Sequence, residues 1–176
     1  MKELFQSFWA LKHAPIYNYV LPGMTSYLIA DPTDQGCIRM FANSMTQYMH
    51  VTPHSHRFNF KSCVLHGSVI NQMWESDYNG DQYVVANLLY NGKPGEYSLV
   101  PEAESRSYRV TSTTYNVGDW YEMEFNQVHS IIFSKDARVA IFEGPQQTNE
   151  TKILLPYVNG EVINTFKVQD WMFKSG

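Results

Sequence analysis

Short runs of β-branched and aromatic residues, separated by turn-forming dipeptides, fill most of this sequence. Dipeptides such as Asn79-Gly80 and Asn159-Gly160 favour sharp changes of chain direction. The runs that such signals separate are Ser26–Ala30, Cys37–Ala42, Arg57–Leu65, Ser68–Trp74, Gln82–Tyr90, Arg106–Val117, Val128–Ser134, Ala137–Glu143, Lys152–Val158 and Glu161–Val168. Short strands at this spacing predict an all-β protein, built as a sandwich or a barrel.

Two other segments depart from this pattern. Apolar side chains recur at helical spacing near the start of the chain, which predicts a short N-terminal helix ended by Pro15. The apolar positions of this helix are Leu4, Phe5, Phe8, Trp9 and Leu11. A helix this short is marginal alone in water, so we expect it to dock on the β domain. We expect the stretch Ser68–Val117 to hold an added hairpin or a lid-like loop, and residues 91–107, with two prolines and several acids, are the candidate loop.

Length and composition limit the class of protein. The 176 residues, 44% of them apolar, suffice for one domain with a substantial core, and we expect a single domain over 1–176. The formal net charge is −4, so the basic excess typical of a nucleic-acid-binding protein is missing. No apolar run approaches the ~20 residues of a membrane span. The N-terminus does not resemble a signal peptide and the chain has two cysteines, so we expect a reduced cytoplasmic protein.

The sequence His54-Ser55-His56 is the first candidate for a functional site. Residues two apart on a strand share a face, so both imidazoles would point to the same side. On one strand, that side would also carry Phe58, Phe60, Ser62 and Val64. Imidazole followed by apolar side chains is typical of a barrel strand whose inner face lines a pocket. Because histidine is the commonest metal ligand, the pair predicts a metal site.

The spacing around these histidines resembles the first motif of the cupin superfamily. In that motif His-x-His is followed, after three or four residues, by a glutamate and, six residues later, by a glycine. From His56, three residues lead to Phe60 and six more lead to Gly67. The spacing is therefore kept, while phenylalanine stands at the glutamate position.

The second cupin motif begins at Gly118, and His129 falls in register with its histidine. Glu124 and Asn126 stand at its proline and glycine positions, and Phe133 replaces its final asparagine. Asn126 is a plausible substitute because asparagine tolerates a left-handed turn conformation. The resemblance covers residues ~40–143, with the N-terminal helix and a C-terminal hairpin flanking it.

The resemblance implies a double-stranded β-helix, or jelly-roll, barrel that holds one divalent metal on His54, His56 and His129. Three protein ligands leave positions open for substrate, and without a carboxylate ligand the metal keeps its full charge and attracts an anion. Within the superfamily, such a centre is similar to thiol dioxygenases such as cysteine dioxygenase. The expected function is therefore a mononuclear non-haem iron dioxygenase acting on a small anionic substrate, a thiol among the candidates. Fe(II) is the expected metal, and Zn, Ni or Mn are compatible with the same ligands.

Further residues are assigned to the substrate pocket: Phe58, Phe60, Tyr115 and Glu124. Ordinary core packing is the alternative for the aromatic ones. Glu122 and Glu124 are also alternative metal ligands, and Cys63 is expected to be an inert buried thiol facing away from the histidines. An anionic substrate needs a basic anchor, and the sequence does not choose among Arg39, Arg57, Arg109 and Arg138.

Two other functions stay open. One is a non-catalytic cupin that binds a metabolite for regulation, suggested by the altered motif positions. The other is a metal-free sugar-nucleotide isomerase or epimerase, which needs a histidine base and an acidic partner. The expected partners are a small-molecule substrate and, in a homodimer, a second copy of the chain; no nucleic acid and no membrane are expected.

Overall fold

The computed structural model describes residues 15–17, 23–33, 35–44, 49–90 and 97–162. The predicted N-terminal helix lies outside these residues, as does the end of the last predicted strand. Within them every regular element is a strand: β1 Ile16–Tyr17, β2 Met24–Thr33, β3 Gly36–Asn43, β4 Met49–His54, β5 Phe58–His66, β6 Ser68–Tyr90, β7 Tyr97–Asn116, β8 Trp120–Met123, β9 Val128–Phe133, β10 Arg138–Gln146, β11 Glu150–Val158 and β12 Glu161–Val162. None of the described segments is a helix suited to crossing a bilayer.

The strands form two six-stranded sheets, which confirms the predicted all-β jelly-roll architecture. Sheet A has the order β1-β2-β3-β10-β5-β8, and sheet B has the order β12-β11-β4-β9-β6-β7. Neighbouring strands are antiparallel throughout. The long strand β6 pairs with β9 through its first half and with β11 through its second half, so sheet B curls around on itself.

The main core contains inward side chains of both sheets. Val64 and Val139 of sheet A pack in one cluster with Val69 and Phe133 of sheet B. Strand β8 shows how the sequence specifies this arrangement, because its four residues alternate between exposed and buried. Burying one valine or phenylalanine side chain contributes at most about 1.5–3 kcal/mol to the free energy of folding. The side chains of this cluster together therefore stabilise the packing of one sheet against the other.

Strands β6 and β7 form a long hairpin, and here one prediction was wrong. Residues 97–107, expected to be loop, pair with β6 from Tyr97 opposite Tyr90 onward. Pro101 is tolerated because β7 is the edge of sheet B and the register shifts beside its partner Ala86. A hairpin was one of the two structures expected for the stretch Ser68–Val117.

Asn79-Gly80 marks a bulge within β6 and not the end of a strand. Ser76 and Asp81 both lie opposite Tyr108, so the four residues between them are extra on one side of the ladder. A Cβ atom on Gly80 would lie 2.0 Å from the carbonyl oxygen of Tyr108, so only glycine fits there. The turn-forming dipeptide therefore serves a bulge in one continuous strand.

The predicted single strand through both histidines is also corrected. Strand β4 of sheet B ends at His54, and β5 of sheet A begins at Phe58, so residues 55–57 cross between the sheets. Within β5 the predicted inward residues Phe60, Ser62 and Val64 are all buried. The alternation of inward and outward side chains holds inside each strand. It does not continue through residues 55–57, because they belong to neither strand.

Candidate metal centre

Three histidine rings meet between the two sheets. The ring centroids of His54 and His56 are 4.8 Å apart, those of His54 and His129 are 5.0 Å apart, and those of His56 and His129 are 5.1 Å apart. One nitrogen from each ring lies within 4.8 Å of the others. Among the described residues, these three form the group of potential metal ligands, and it contains no carboxylate.

Strand pairing brings His54 and His129 together. His54 is the last residue of β4, and it lies directly opposite His129 of β9. Residues directly opposite in an antiparallel pair share a face, so both rings point to the interior. A register shift between Val51 and His54 precedes this pair, which places the ring at the end of the strand.

His56 reaches the same point from the segment that crosses between the sheets. Ser55 fixes that segment to β11, because its backbone NH donates to the Lys152 carbonyl and its Oγ accepts from the Lys152 NH, each at 2.8 Å. The NH of His56 donates to the carbonyl of Phe125 in the β8–β9 turn at 3.0 Å. A residue of strand β11 and a residue of the β8–β9 turn, both distant in sequence, thus hold the backbone at Ser55 and His56.

The hydrogen bonds that His54 and His129 make through Nδ1 leave the Nε2 atoms of these two rings for a metal. His54 Nδ1 lies 2.7 Å from the carbonyl oxygen of Thr52, to which it donates, and His129 Nδ1 lies 2.6 Å from Asn71 Oδ1. His56 Nε2 is 2.9 Å from His129 Nε2. Two nitrogens bound at right angles to one ion at 2.0–2.1 Å would be about 3 Å apart, so the His56–His129 pair has the spacing of two ligands on one metal ion.

Burial keeps the three imidazoles neutral. Desolvation lowers the pKa of His54, and it lowers those of His56 and His129 well below the usual histidine value. Charge on a neighbouring ring adds to this effect, because positive charge on His54 lowers the pKa of both His56 and His129. Neutral imidazole is the form that binds a metal, so at pH 7 the cluster is prepared for a cation.

Two phenylalanines of β5 form an apolar wall beside the rings. The Phe60 ring is 4.7 Å from that of His56 and 5.9 Å from that of His129, and Phe60 is 4% exposed. The Phe58 ring lies 5.7 Å from His56. An apolar wall lowers the local dielectric, which strengthens the attraction between a metal cation and an anionic ligand.

Of the other pocket candidates, Tyr115 packs against a second tyrosine and Glu124 lies in a turn. The Tyr115 ring is 4.7 Å from that of Tyr121, which in turn is 6.2 Å from Phe60. Burial raises the pKa of Tyr121 to about 12, so its hydroxyl stays protonated. Glu124 is exposed in the turn after β8. Their assignment to a substrate pocket stays a prediction.

Glu122 and Asn126 do not take the roles considered for them. Glu122 is exposed and its carboxylate binds Lys61 Nζ at 2.7 Å, away from the interior. Asn126 lies in a turn, but the non-glycine residues with positive φ among the described ones are Asp136 and Asn159. The left-handed conformation expected at Asn126 was therefore wrong.

Cys63 is buried, as expected, with its pKa raised by burial. It lies opposite Trp120 and Ala140, between the inward-facing Ser62 and Val64. Because neighbouring residues of a strand point to opposite faces, its thiol is directed away from the interior.

Cys37, Arg39 and Glu143 form a hydrogen-bonded charged group on the inner face of sheet A, which was not predicted from the sequence. Glu143 lies opposite both Phe60 and Cys37, so these side chains share the inner face of sheet A. Arg39 Nε lies 3.0 Å from Glu143 Oε1, and the Cys37 thiol donates to Oε2 at 2.7 Å. Burial raises the pKa of Cys37 to about 12, and the hydrogen bond to Glu143 adds to the rise.

Strand pairing also separates the arginines that the sequence could not rank. Arg39 is largely buried on the inner face, whereas Arg109 is exposed beside Glu75 and Asp77, and Arg138 is exposed. The one sequence signal for the charged group was the presence of Arg39 and Glu143 in two β-rich runs about 100 residues apart, which does not show that they meet.

Comparison with known proteins finds likeness at the level of structure only. No protein-family model matches the sequence, and the search of curated proteins finds no match. KdgF from Halomonas sp. has a similar structure (TM-score 0.44, 13% identity, 77% of this chain and 91% of that one). CENP-C of Drosophila melanogaster bound to CAL1 also has a similar structure (TM-score 0.42, 12% identity, 81% of this chain and 95% of that one). The same holds for a cupin superfamily protein of Desulfitobacterium hafniense (TM-score 0.40, 10% identity, 77% of this chain and 85% of that one). With TM-scores below 0.5, the description of the fold depends on this chain's own strand pairing.

Proposed function

We propose that this protein is a metal-dependent cupin enzyme, a mononuclear non-haem iron dioxygenase that acts on a small anionic substrate. The observation that carries the proposal is the convergence of three neutral imidazoles at His54, His56 and His129 with no carboxylate in the group. A ferrous ion held there would supply Lewis acidity and a redox couple.

The net charge of the site supports an anionic substrate. Three neutral ligands leave a divalent ion its full charge, in a site walled by Phe58 and Phe60. A thiolate, a carboxylate or an enolate would neutralise this charge, whereas a neutral substrate would not. The inner-face pair Arg39–Glu143 is neutral as a unit, so it does not replace the missing carboxylate charge.

The residues of the chain would have separate roles in this reaction. The three histidines hold the ion, and Phe58 and Phe60 exclude water beside it. The neutral thiol of Cys37 and the guanidinium of Arg39 hold the Glu143 carboxylate on the inner face of sheet A, beside Phe60. Positions not taken by protein nitrogens would be available to the substrate.

Elemental analysis and oxygen uptake test the proposal together. Protein purified without chelators should contain about one divalent metal per chain, and His56→Ala should lose it. Iron-loaded protein should consume oxygen with cysteine, 3-mercaptopropionate or a simple diketone above the His56→Ala background. His66→Ala is the matched control, because His66 is exposed at the end of β5 and outside the cluster. Absence of metal in the purified protein, and of metal binding on titration, would contradict the metal site.

A non-catalytic, metabolite-binding cupin is the second candidate. It is favoured by Phe60, which puts an apolar ring against His56 where the motif has a glutamate. Under this alternative, a ligand would raise the melting temperature of the metal-loaded protein without oxygen uptake or product. Fold alone does not decide between the two.

A further inference from the structure

Asn71 is a buried amide that contacts one of the three histidines and belongs to no motif. It lies on β6, is 4% exposed, and its Oδ1 is 2.6 Å from His129 Nδ1. It lies opposite Ile131, the inward residue two places along β9 from His129. Its amide is therefore on the inner face of sheet B, diagonal to the histidine.

The contacts of Asn71 Nδ2 show which end of the amide carries the oxygen and which carries the nitrogen. Asn71 Nδ2 is 3.5 Å from Met73 Sδ and 3.7 Å from Met123 Sδ. A thioether sulfur accepts hydrogen bonds weakly and donates none. The amide NH₂ gains from facing the two sulfurs, whereas the carbonyl oxygen would be repelled there. The sulfurs thus direct Oδ1 to His129.

From this orientation we propose that Asn71 is a positioning residue, which fixes His129 in the tautomer that binds metal. The oxygen accepts only a proton-bearing nitrogen, so His129 carries its proton on Nδ1 and presents a bare Nε2 to the site. The inference deepens the proposed metal-dependent function, on which it rests.

A consequence for His56 follows. Its Nε2 is 2.9 Å from His129 Nε2, and one of the two nitrogens carries the proton between them in metal-free protein. Because His129 Nε2 is bare, His56 is the donor. His129 is then a preformed ligand, and His56 is the ligand that must move its proton to Nδ1 when a metal binds.

The tautomers can be read directly in metal-free protein. Long-range ¹⁵N–¹H NMR of ¹⁵N-labelled protein should show His129 protonated on Nδ1 and His56 on Nε2. Zinc addition should leave the His129 tautomer as it is and convert His56 to the Nδ1–H form. A His129 protonated on Nε2 in the metal-free wild type would overturn the inference without any variant, and this result does not depend on whether zinc binds.

Variants give the functional measure. Asn71→Leu, which has similar size and no acceptor, should weaken zinc binding by about 10–100-fold in competition with a chromophoric chelator. Asn71→Asp, which restores an acceptor, should recover most of that loss. The sulfur-free pair Met73→Leu with Met123→Leu should give a mixture of His129 tautomers.

Asn43→Leu is the matched control. Asn43 is 3% exposed, and its Nδ2 donates to the Ser134 carbonyl at 2.9 Å, away from the histidines. It should lower the melting temperature but leave the His129 tautomer and the zinc affinity unchanged. Equal loss of affinity in Asn43→Leu, or no recovery in Asn71→Asp, would show a merely structural role. If Asn71→Leu does not fold, Asn71→Asp and the wild-type tautomers still decide the matter.

Discussion

Glu143 of β10 lies directly opposite Phe60 of β5, so the carboxylate on the inner face of sheet A is one strand away from the ring that contacts His56 and His129. Arg39 and Cys37 hold that carboxylate. The three-histidine cluster therefore faces an apolar ring, and the strand next to that ring carries an acid paired with an arginine. This arrangement leads to predictions for both residues.

Replacing Phe60 by glutamate should add a carboxylate ligand to the three histidines. Phe60→Glu is expected to destabilise metal-free protein, since a buried acid must lose hydration or take up a proton. It should bind zinc more tightly at pH 7.5, because an anionic ligand is added to a cation. It should also bind azide more weakly in the cobalt-loaded form, because the site is less positive.

Calorimetry with zinc and visible absorption of cobalt-loaded protein measure these effects, and Phe60→Gln is the uncharged control. Equal azide affinity in Phe60→Glu and wild type would contradict the charge argument for an anionic substrate.

The Arg39–Glu143 pair should be costly to break from one side only. The two side chains are 18% and 11% exposed, so Glu143→Leu, which leaves the Arg39 charge without this partner, should lower the free energy of unfolding by about 2–3 kcal/mol. Arg39→Met with Glu143→Leu should recover much of this loss. Urea denaturation of the wild type, Glu143→Leu, Arg39→Met and the double variant measures the coupling.

The exposed pair Lys61–Glu122 provides the comparison for that cycle. Its side chains are 61% and 69% exposed, so Glu122→Leu should change the free energy of unfolding by no more than about 0.5 kcal/mol. A similar cost for both pairs would mean that burial of Arg39 and Glu143 has no energetic weight.

Metal-free protein should lose stability as the pH falls below about 6.5. The pKa values of His54, His56 and His129 are lowered in the folded state, so between those values and 6.5 the unfolded chain binds more protons. The contribution is complete above the unfolded pKa and is lost as pH falls towards the folded values. A histidine that stays neutral in the fold can lose at most about 2 kcal/mol between pH 6.5 and pH 5.

Urea denaturation at pH 7.5, 6.5, 5.5 and 5.0 tests this dependence. His129→Gln should flatten the profile, whereas His66→Gln, at an exposed position, should not. A wild-type profile with no slope in this range would contradict neutral burial of the three rings.

Acid should also release the metal. Protons compete with a cation for the same ring nitrogens, so dialysis at pH 5 should remove metal that is retained at pH 7.5. Metal analysis after dialysis gives the result, with the protein's circular dichroism at pH 5 showing that the fold persists. Equal retention at both pH values would indicate carboxylate ligands instead of imidazoles.

The sequence alone determined the β architecture and which histidines would meet. Alternating burial and turn signals are local properties, so runs such as Cys37–Ala42 and Val128–Ser134 correspond closely to β3 and β9. That His129 joins His54 and His56 was implied by the resemblance of the spacing around it to the second cupin motif. Local patterns were wrong where a strand carries unusual residues, as at Asn79-Gly80 and in residues 97–107.

Only the tertiary structure decided what surrounds the histidines. The crossing at residues 55–57 changes sheets, so alternation along one strand cannot place His56 relative to Phe58. Asn71 and Glu143 come close to the site through pairings of β6 with β9 and of β10 with β5, between residues more than 50 positions apart. Register between distant strands depends on packing of both sheets at once, and no local pattern in the sequence carries that information.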